Sequence, residues 1–333
     1  MNYVSLGRTG VQVSQLCFGT MSFGGDADED TSAAMFHRCR ETGINFFDCA
    51  NVYANGRSEE ILGGLMRGCR DEIVLTSKAG MPLAGSPVDR GLSRRHLFQQ
   101  IETSLRRLET DRLDVYFVHH FDPRTPMDQT LRALDDLVRQ GKILYAGVSN
   151  WSAWQIARSL GYCDQHDLAP FLCIQPMYNL VKRQAEVEIL PMAEAENLSV
   201  IAYSPLGGGL LTGKYGSSAH DDTGDASPRR LADMQMYTNR YGDPALFDVA
   251  RSFSAMAQAH GVHPATLAVA WVGTHPAVTC PIIGARNLEQ LEPSLAAAEF
   301  DMAPELRAKV TALTPDPALA TDRAEEKEGL PLR

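Results

Sequence analysis

Four polar side chains, Asp48, Tyr53, Lys78 and His119, each stand at or just past the end of a separate apolar run. Asp48 closes INFFD (44–48), Tyr53 follows shortly after it, Lys78 closes EIVLTSK (72–78), and His119 closes LDVYFVH (113–119). A carboxylate, a phenol, an ammonium and an imidazole brought together make a proton-donating site. Reducing a carbonyl needs a hydride on carbon and a proton on oxygen, and a phenol with an ordinary pKa of ~10 is a poor acid at neutral pH. A buried ammonium beside it stabilises the phenolate and lowers that value, which is the part expected of Lys78. Asp48 would hold the lysine charged and oriented. His119 would hydrogen-bond the substrate oxygen and share the proton traffic.

Each residue also has a plainer reading. His119 alone could be a hydrogen-bonded core histidine, Lys78 a cation snorkelling from a strand end, and Asp48 the cap of the following turn. The set of four at strand ends favours chemistry. Cys17 and Cys49 read as small core residues. Trp271, on the apolar face of PATLAVAWVGTH (264–275), reads as core, while Trp151 and Trp154 follow Ser149 and Asn150 closely enough to wall a substrate pocket.

The elements that must position these residues can be read from the same pattern. Apolar, β-branched-rich runs at 15–19, 45–48, 72–77, 113–119, 143–149, 172–177, 199–203 and 279–283 alternate with helix-period stretches such as 93–109, where Leu97, Ile101, Leu105 and Leu108 recur at helical spacing. Alternation of this kind implies βα units around a parallel sheet. Strands covered on both faces are continuously apolar, as these are. Eight such units favour a closed (β/α)8 TIM barrel over a doubly wound sheet, with the chemistry on loops at the strands' C-terminal ends.

The length of 333 residues exceeds the ~250 typical of such a barrel by an amount that extra loops and helices absorb. One barrel domain over residues 1–333 is therefore expected, with 314–333 as a loose tail ending in the charged DRAEEKEGLPLR. No membrane span or signal peptide is indicated, so a cytoplasmic protein is expected. The seven cysteines lack paired short spacings and read as reduced thiols, with no metal site. A net charge of −10 argues against non-specific nucleic-acid binding. The surface pattern carries no signal of oligomeric state or protein partner. Residues 216–243 read as a long excursion after the seventh strand, of the kind that is usually functional or disordered.

Eight ordered motifs then give the chain a family resemblance: YVSLGRTGVQVSQLCFGTMSFGG (3–25), FFDCANVYANGRSEEILG (46–63), LTSK, FVHHFDP, AGVSN, IQPMYN, AYSPLGGGLLTGKY and IIGARNLEQL. The chain resembles an aldo-keto reductase, in the branch that also resembles potassium-channel β-subunits, from Tyr3 to about Leu313. The resemblance implies an N-terminal hairpin before the barrel and a catalytic set of Asp48, Tyr53, Lys78 and His119. It places the catalytic imidazole at His119, with the competing His120 in the pocket or packed outside it.

The cofactor implied is NADPH/NADP+. No GxGxxG follows a strand, so a Rossmann site is not expected. The resemblance instead lays the dinucleotide across the barrel mouth, against Gly19, Thr20, Met21 and Asp48. Ser149, Asn150 and Gln175 would hold the carboxamide, since amide side chains offer donor and acceptor together, and the ring would stack on Tyr203. Ser204, Pro205, Leu206, Gly207, Gly209 and Lys214 would follow the pyrophosphate, and Gly284, Arg286 and Gln290 the adenosine. Residues 216–243 would fold over it. Arg286 favours NADPH, because a guanidinium matches a 2′-phosphate in bidentate geometry whereas an NAD site tends to set a carboxylate on the free hydroxyls. Ser294 and Pro293 stand where many members carry Asn and Glu, and Gly284 and Ala285 where some carry Lys and Ser. Phosphate selectivity thus rests more heavily on Arg286.

The expected substrate is a small-molecule carbonyl, with Phe23, His120, Phe121 and Trp151 in the pocket and a mild bias to aromatic or medium-chain carbonyls. Two other classes fit the same residues. One is an NAD-dependent alcohol, sugar or inositol dehydrogenase; the other is a cofactor-binding regulatory subunit with slow turnover.

Overall fold

A computed structural model describes residues 1–82, 90–215, 231 and 234–323. The chain opens with a hairpin, β1 (Tyr3–Ser5) against β2 (Gln12–Ser14). Eight parallel strands follow: β3 (Cys17–Gly19), β4 (Phe46–Asp48), β5 (Val74–Ala79), β6 (Leu113–Val118), β7 (Ile143–Ser149), β8 (Phe171–Gln175), β9 (Ser199–Ala202) and β10 (Cys280–Ile283). They pair in chain order, and β10 closes the barrel on β3. All eight expected strands are present, in a (β/α)8 barrel.

Their ends move for local reasons. Residues Arg70–Glu72 form a 3-10 turn, so the strand expected at 72–77 starts at Val74 and runs through Lys78 instead of ending before it. Gln15 donates its backbone N–H to Asn2 O at 3.0 Å as part of the hairpin exit, which delays β3 to Cys17. Met177 and Tyr203, expected inside strands, are joined only by an isolated bridge beyond β8 and β9.

The outer ring comprises α1 (Glu29–Glu41), α2 (Arg57–Leu65), α3 (Arg94–Arg107), α4 (Met127–Arg139), α5 (Ala153–His166), α6 (Ile189–Ala195), α7 (Gln235–Tyr241), α8 (Pro244–Ala259), α9 (Pro264–Gly273), α10 (Leu288–Leu295) and α11 (Pro304–Thr311). Helix α3 shows how sequence produces them. Ser93 caps it by accepting from His96 N, and Leu97, Ile101 and Leu105 turn the expected stripe into the core. One apolar cluster fills the space between strands and helices. A second, including Cys17, Phe46, Val115, Phe117, Cys173, Ile201 and Cys280, joins Leu6 and Val13 of the hairpin, so the hairpin plugs the barrel bottom and the site is left to the opposite face. All seven cysteines are free thiols.

Two expected irregular regions are partly ordered. Within 216–243, residues 216–230, 232 and 233 lie outside the described residues, but α7 occupies the end of the stretch, with Tyr237 and Tyr241 buried one turn apart. The expected loose tail begins tethered, because Arg183 donates to Thr314 O at 3.4 Å and to Asp316 Oδ1 at 3.0 Å. Residues 324–333 lie outside the described residues. Among the described residues, no helix is long and apolar enough to cross a membrane.

Candidate active site

At the C-terminal end of β4, Asp48 accepts from Thr76 Oγ1 at 2.7 Å and Gln175 Nε2 at 2.9 Å through one oxygen, and from Lys78 Nζ at 2.5 Å through the other. Lys78 is fully buried on β5; its ammonium also donates to Cys49 O at 2.8 Å and to Tyr53 Oη at 3.3 Å. An ammonium has three N–H donors, and all three are placed. Tyr53 reaches this point from a tight turn in which Ala54, Asn55 and Gly56 have φ of 46°, 55° and 96°. Gly56 suits that turn because its φ of 96° is one L side chains rarely adopt, and the Arg107 guanidinium lies over it where a Cβ would stand.

The electrostatics amend one expectation. Burial raises the Tyr53 pKa to about 12 against the lowering pull of Lys78, with Asp48 raising it further. The lysine acts in the expected direction, but desolvation of the phenolate is the larger effect. For Lys78 itself burial opposes the charge, yet Asp48 and Tyr53 raise its pKa overall and keep it an ammonium. His119 is neutral: burial, then Lys78, then His120 push its pKa well below the ordinary value. Its ring meets Tyr53 edge-on at 6.2 Å and stacks on His120 at 5.4 Å. Its buried Nδ1 has no hydrogen-bond partner among the described residues. His120 lies beyond it, more open to solvent.

The amide side of the site is contributed by the ends of β7, β8 and β9. Ser149 Oγ donates to Gln175 O at 3.0 Å; Asn150 Nδ2 donates to His119 O at 3.0 Å; and Tyr203 Oη donates to Asn150 Oδ1 at 2.7 Å. Thus Ser149, Asn150, Gln175 and Tyr203 form one hydrogen-bonded arc that ends on Asp48. Thr20 is buried, its hydroxyl on Ser58 and Asp48 O, and it braces β4 behind this arc, while Met21 is exposed.

Past β9, Ser204 and the run Gly207, Gly208 and Gly209 all have positive φ, the glycines at 57°, 67° and 95°. The positive φ values disfavour side chains throughout this run, and a Cβ on Gly208 would also lie 2.7 Å from Tyr237 of α7, while Lys214 Cε lies 3.1 Å from where a Cβ on Gly209 would stand. Pro205 and Leu206 lead into this turn. Past β10, Gly284 faces Gly19 O, and Arg286 N donates to Gln290 Oε1 at 3.3 Å.

The expected pocket residues divide. Phe121 lies edge-on to Trp151 at 5.0 Å and to Trp154 at 6.4 Å, and Trp154 is 59% exposed. Trp151 is buried between Phe121 and Phe171 and supports the wall from behind. Phe23 does not line the pocket. Its loop curls back, with Phe23 N on Thr20 O at 2.9 Å, and buries the ring against Phe18.

Three groups escaped the sequence reading. Thr76 lies inside the LTSK motif, where only Lys78 was singled out. Glu59 is fully buried, accepting from Ser77 Oγ at 2.6 Å and Arg107 Nη1 at 3.2 Å, and Arg107 also reaches Asn51 O at 3.3 Å, so the pair braces the Tyr53 turn. Asp26 pairs with Arg286; the acidic run after FGG was its only sequence mark. Among the described residues, no group of His, Cys, Asp and Glu is arranged to hold a metal ion.

The sequence profile of the aldo/keto reductase family matches residues 15–314. The chain is 35% identical over 337 residues to "Uncharacterized oxidoreductase YrpG" of Bacillus subtilis (strain 168), covering 97% of this chain and 99% of that protein. It is 37% identical over 307 residues to a "Probable voltage-gated potassium channel subunit beta" of Arabidopsis thaliana, with 90% and 92% covered. A protein of the same description from Oryza sativa subsp. japonica is 36% identical over 318 residues, with 93% and 94% covered. The chain belongs to the aldo/keto reductase family.

Proposed function

We propose that this family member reduces aldehydes and ketones to alcohols with NADPH, and that Tyr53 is the general acid. The carrying observation is the unbroken chain from Asp48 through Lys78 Nζ to Tyr53 Oη, at 2.5 and 3.3 Å, which ends on a hydroxyl beside the neutral His119. Family membership supports an oxidoreductase more broadly.

The residues present fit a nicotinamide dinucleotide. The arc of Ser149, Asn150 and Gln175 offers the mixed donors and acceptors a carboxamide needs, with the ring of Tyr203 beside it. The positive-φ glycine turn at 207–209, with Lys214 against it, makes a backbone cradle of the kind that receives phosphate oxygens. Gly284, Arg286 and Gln290 would take the adenosine end. When bound, the reduced cofactor supplies a hydride from its nicotinamide C4.

The chain's own residues do the rest. Tyr53 Oη presents a proton to the carbonyl oxygen. Lys78, held charged by Asp48, stabilises the phenolate left behind, and Gln175 and Thr76 hold Asp48 in place. His119, being neutral, can donate one hydrogen bond to the same oxygen without claiming the proton. The aromatic wall of Phe121 and Trp154 favours an aromatic or medium-chain substrate.

The test is NADPH consumption by the purified protein against aldehydes, ketones, quinones and sugars, with Tyr53→Phe alongside. Turnover lost in the variant supports the reading; equal turnover in both removes Tyr53 from it. A second reading follows from the relatives described as channel β-subunits: a regulatory subunit that binds NADPH tightly and turns over slowly. Tight binding with no turnover across the panel would favour it.

A further inference from the structure

Arg286 is already held by a carboxylate. Its Nε donates to Asp26 Oδ2 at 2.9 Å. The two residues stand on loops that leave neighbouring strands, Asp26 after β3 and Arg286 after β10, and those loops are stapled by Ser22 Oγ donating to Ala285 O at 2.6 Å. The pairing is therefore fixed by backbone as well as by charge. The Arg286 side chain is 14% exposed but that of Asp26 is 46% exposed, so the carboxylate faces solvent at the edge of the barrel mouth.

The two members of the pair suit opposite ligands. A guanidinium recognises a 2′-phosphate, whereas a carboxylate accepts from a free ribose hydroxyl and repels the phosphate. We infer that Asp26 and Arg286 act as a paired selector at the adenosine ribose, so that the chain binds both NADPH and NADH and Asp26 limits how far NADPH is favoured. This rests on the reading above that Arg286 faces the adenosine end.

Asp26 then opposes the phosphate from a guanidinium's width away. Removing its charge raises NADPH affinity roughly three- to tenfold at low salt, and less at high salt. A neutral amide or hydroxyl at this position also accepts from the ribose hydroxyl less strongly than the carboxylate does, which lowers NADH affinity by up to about tenfold.

The experiment is to titrate the full-length protein with NADPH and with NADH, following protein fluorescence, for wild type, Asp26→Asn and Arg286→Met. Thermal midpoints would be taken on the same samples, and Asp26→Ser serves as a second variant if Asp26→Asn folds poorly. The expected result is that wild type binds both cofactors, the Asp26 variants widen the NADPH to NADH ratio by at least about threefold, and Arg286→Met weakens NADPH alone. An unchanged ratio, or weaker NADPH binding in the Asp26 variants, overturns the selector and makes Asp26 a strut for Arg286. If that happens while wild type binds NADPH and shows Tyr53-dependent turnover, the reductase reading stands. Wild type binding neither cofactor overturns both.

Discussion

Lys78 Nζ lies 3.3 Å from Tyr53 Oη, yet the phenol's pKa is raised to about 12, because burial of its anion outweighs the ammonium's attraction. For reduction this is a workable balance. The developing alkoxide has a basicity comparable to hydroxide, with a conjugate acid near ~15.7, so even a phenol of high pKa gives up its proton downhill. The lysine's part is to make the phenolate tolerable at the moment it forms, while the phenol remains loaded at every physiological pH.

Replacing the hydroxyl should therefore remove a transition-state interaction without disturbing the fold. Tyr53→Phe is expected to lower kcat by roughly 10²- to 10⁴-fold with cofactor affinity near wild type. Lys78→Met should lower kcat similarly and also lose stability, because it leaves the buried Asp48 carboxylate without its cation. Single-turnover rates with fluorescence titration separate the two effects. A Lys78→Met enzyme whose sole defect is weak cofactor binding would exclude the lysine from proton transfer.

The ionisation of Tyr53 can be read directly. In ligand-free protein, the tyrosinate absorbance difference between wild type and Tyr53→Phe should appear only as pH approaches about 12. Since the folded value is raised, the linked stability is fully present below the unfolded pKa of ~10 and is lost as pH climbs through the folded value. A Tyr53 titration near neutral pH would mean that Lys78 dominates after all.

His119 predicts the acid side. Its pKa is pushed well below the ordinary value by burial, Lys78 and His120, so kcat/KM for reduction should show no limb near ~6.5. With the folded value depressed, its contribution to stability is present above the unfolded pKa and lost as pH falls through that region toward the folded one. A limb near neutrality that disappears in His119→Gln would show that the imidazolium is the working form.

The parts of this site that were legible in sequence are those where a polar residue interrupts an apolar strand end. Asp48, Lys78 and His119 stand out for that reason, and helical spacing likewise exposed Leu97, Ile101 and Leu105 of α3. Other features depend on three-dimensional closure. Phe23 looked like pocket lining, but its loop curls back through the Phe23 and Ala27 bridge, which periodicity cannot register. Asp26 and Arg286 meet only because β10 closes on β3, at opposite ends of the chain. The sign of the Tyr53 shift depends on how deeply one oxygen is buried against one ammonium, and no residue pattern encodes that.

Barrel packing gives a stability test independent of chemistry. Gly147, on β7, faces the interior: a Cβ there would lie 2.6 Å from the Phe117 ring and 3.0 Å from Cys173 O. Gly147→Ala is expected to destabilise by roughly 1–3 kcal/mol through overpacking, seen as a lower urea midpoint, with partial recovery in Gly147→Ala/Phe117→Leu. An unchanged midpoint would show that the ring at 117 shifts without cost.

The pair behind the Tyr53 turn supplies a second stability test at a buried charge. Glu59 is fully buried, and Arg107 is its cationic partner, at 3.2 Å. Arg107→Met leaves that carboxylate with Ser77 alone, which should cost roughly 3–5 kcal/mol. Adding Glu59→Gln should restore much of the loss, since a neutral amide needs no counter-charge, and the double-mutant cycle isolates the coupling. Because Arg107 also reaches Asn51 O and packs against Gly56 in the turn that carries Tyr53, the double variant should stay slower than wild type even where its stability recovers. Full recovery of both would confine the pair to stability; a stable single Arg107→Met variant would show that the buried carboxylate does not depend on the arginine.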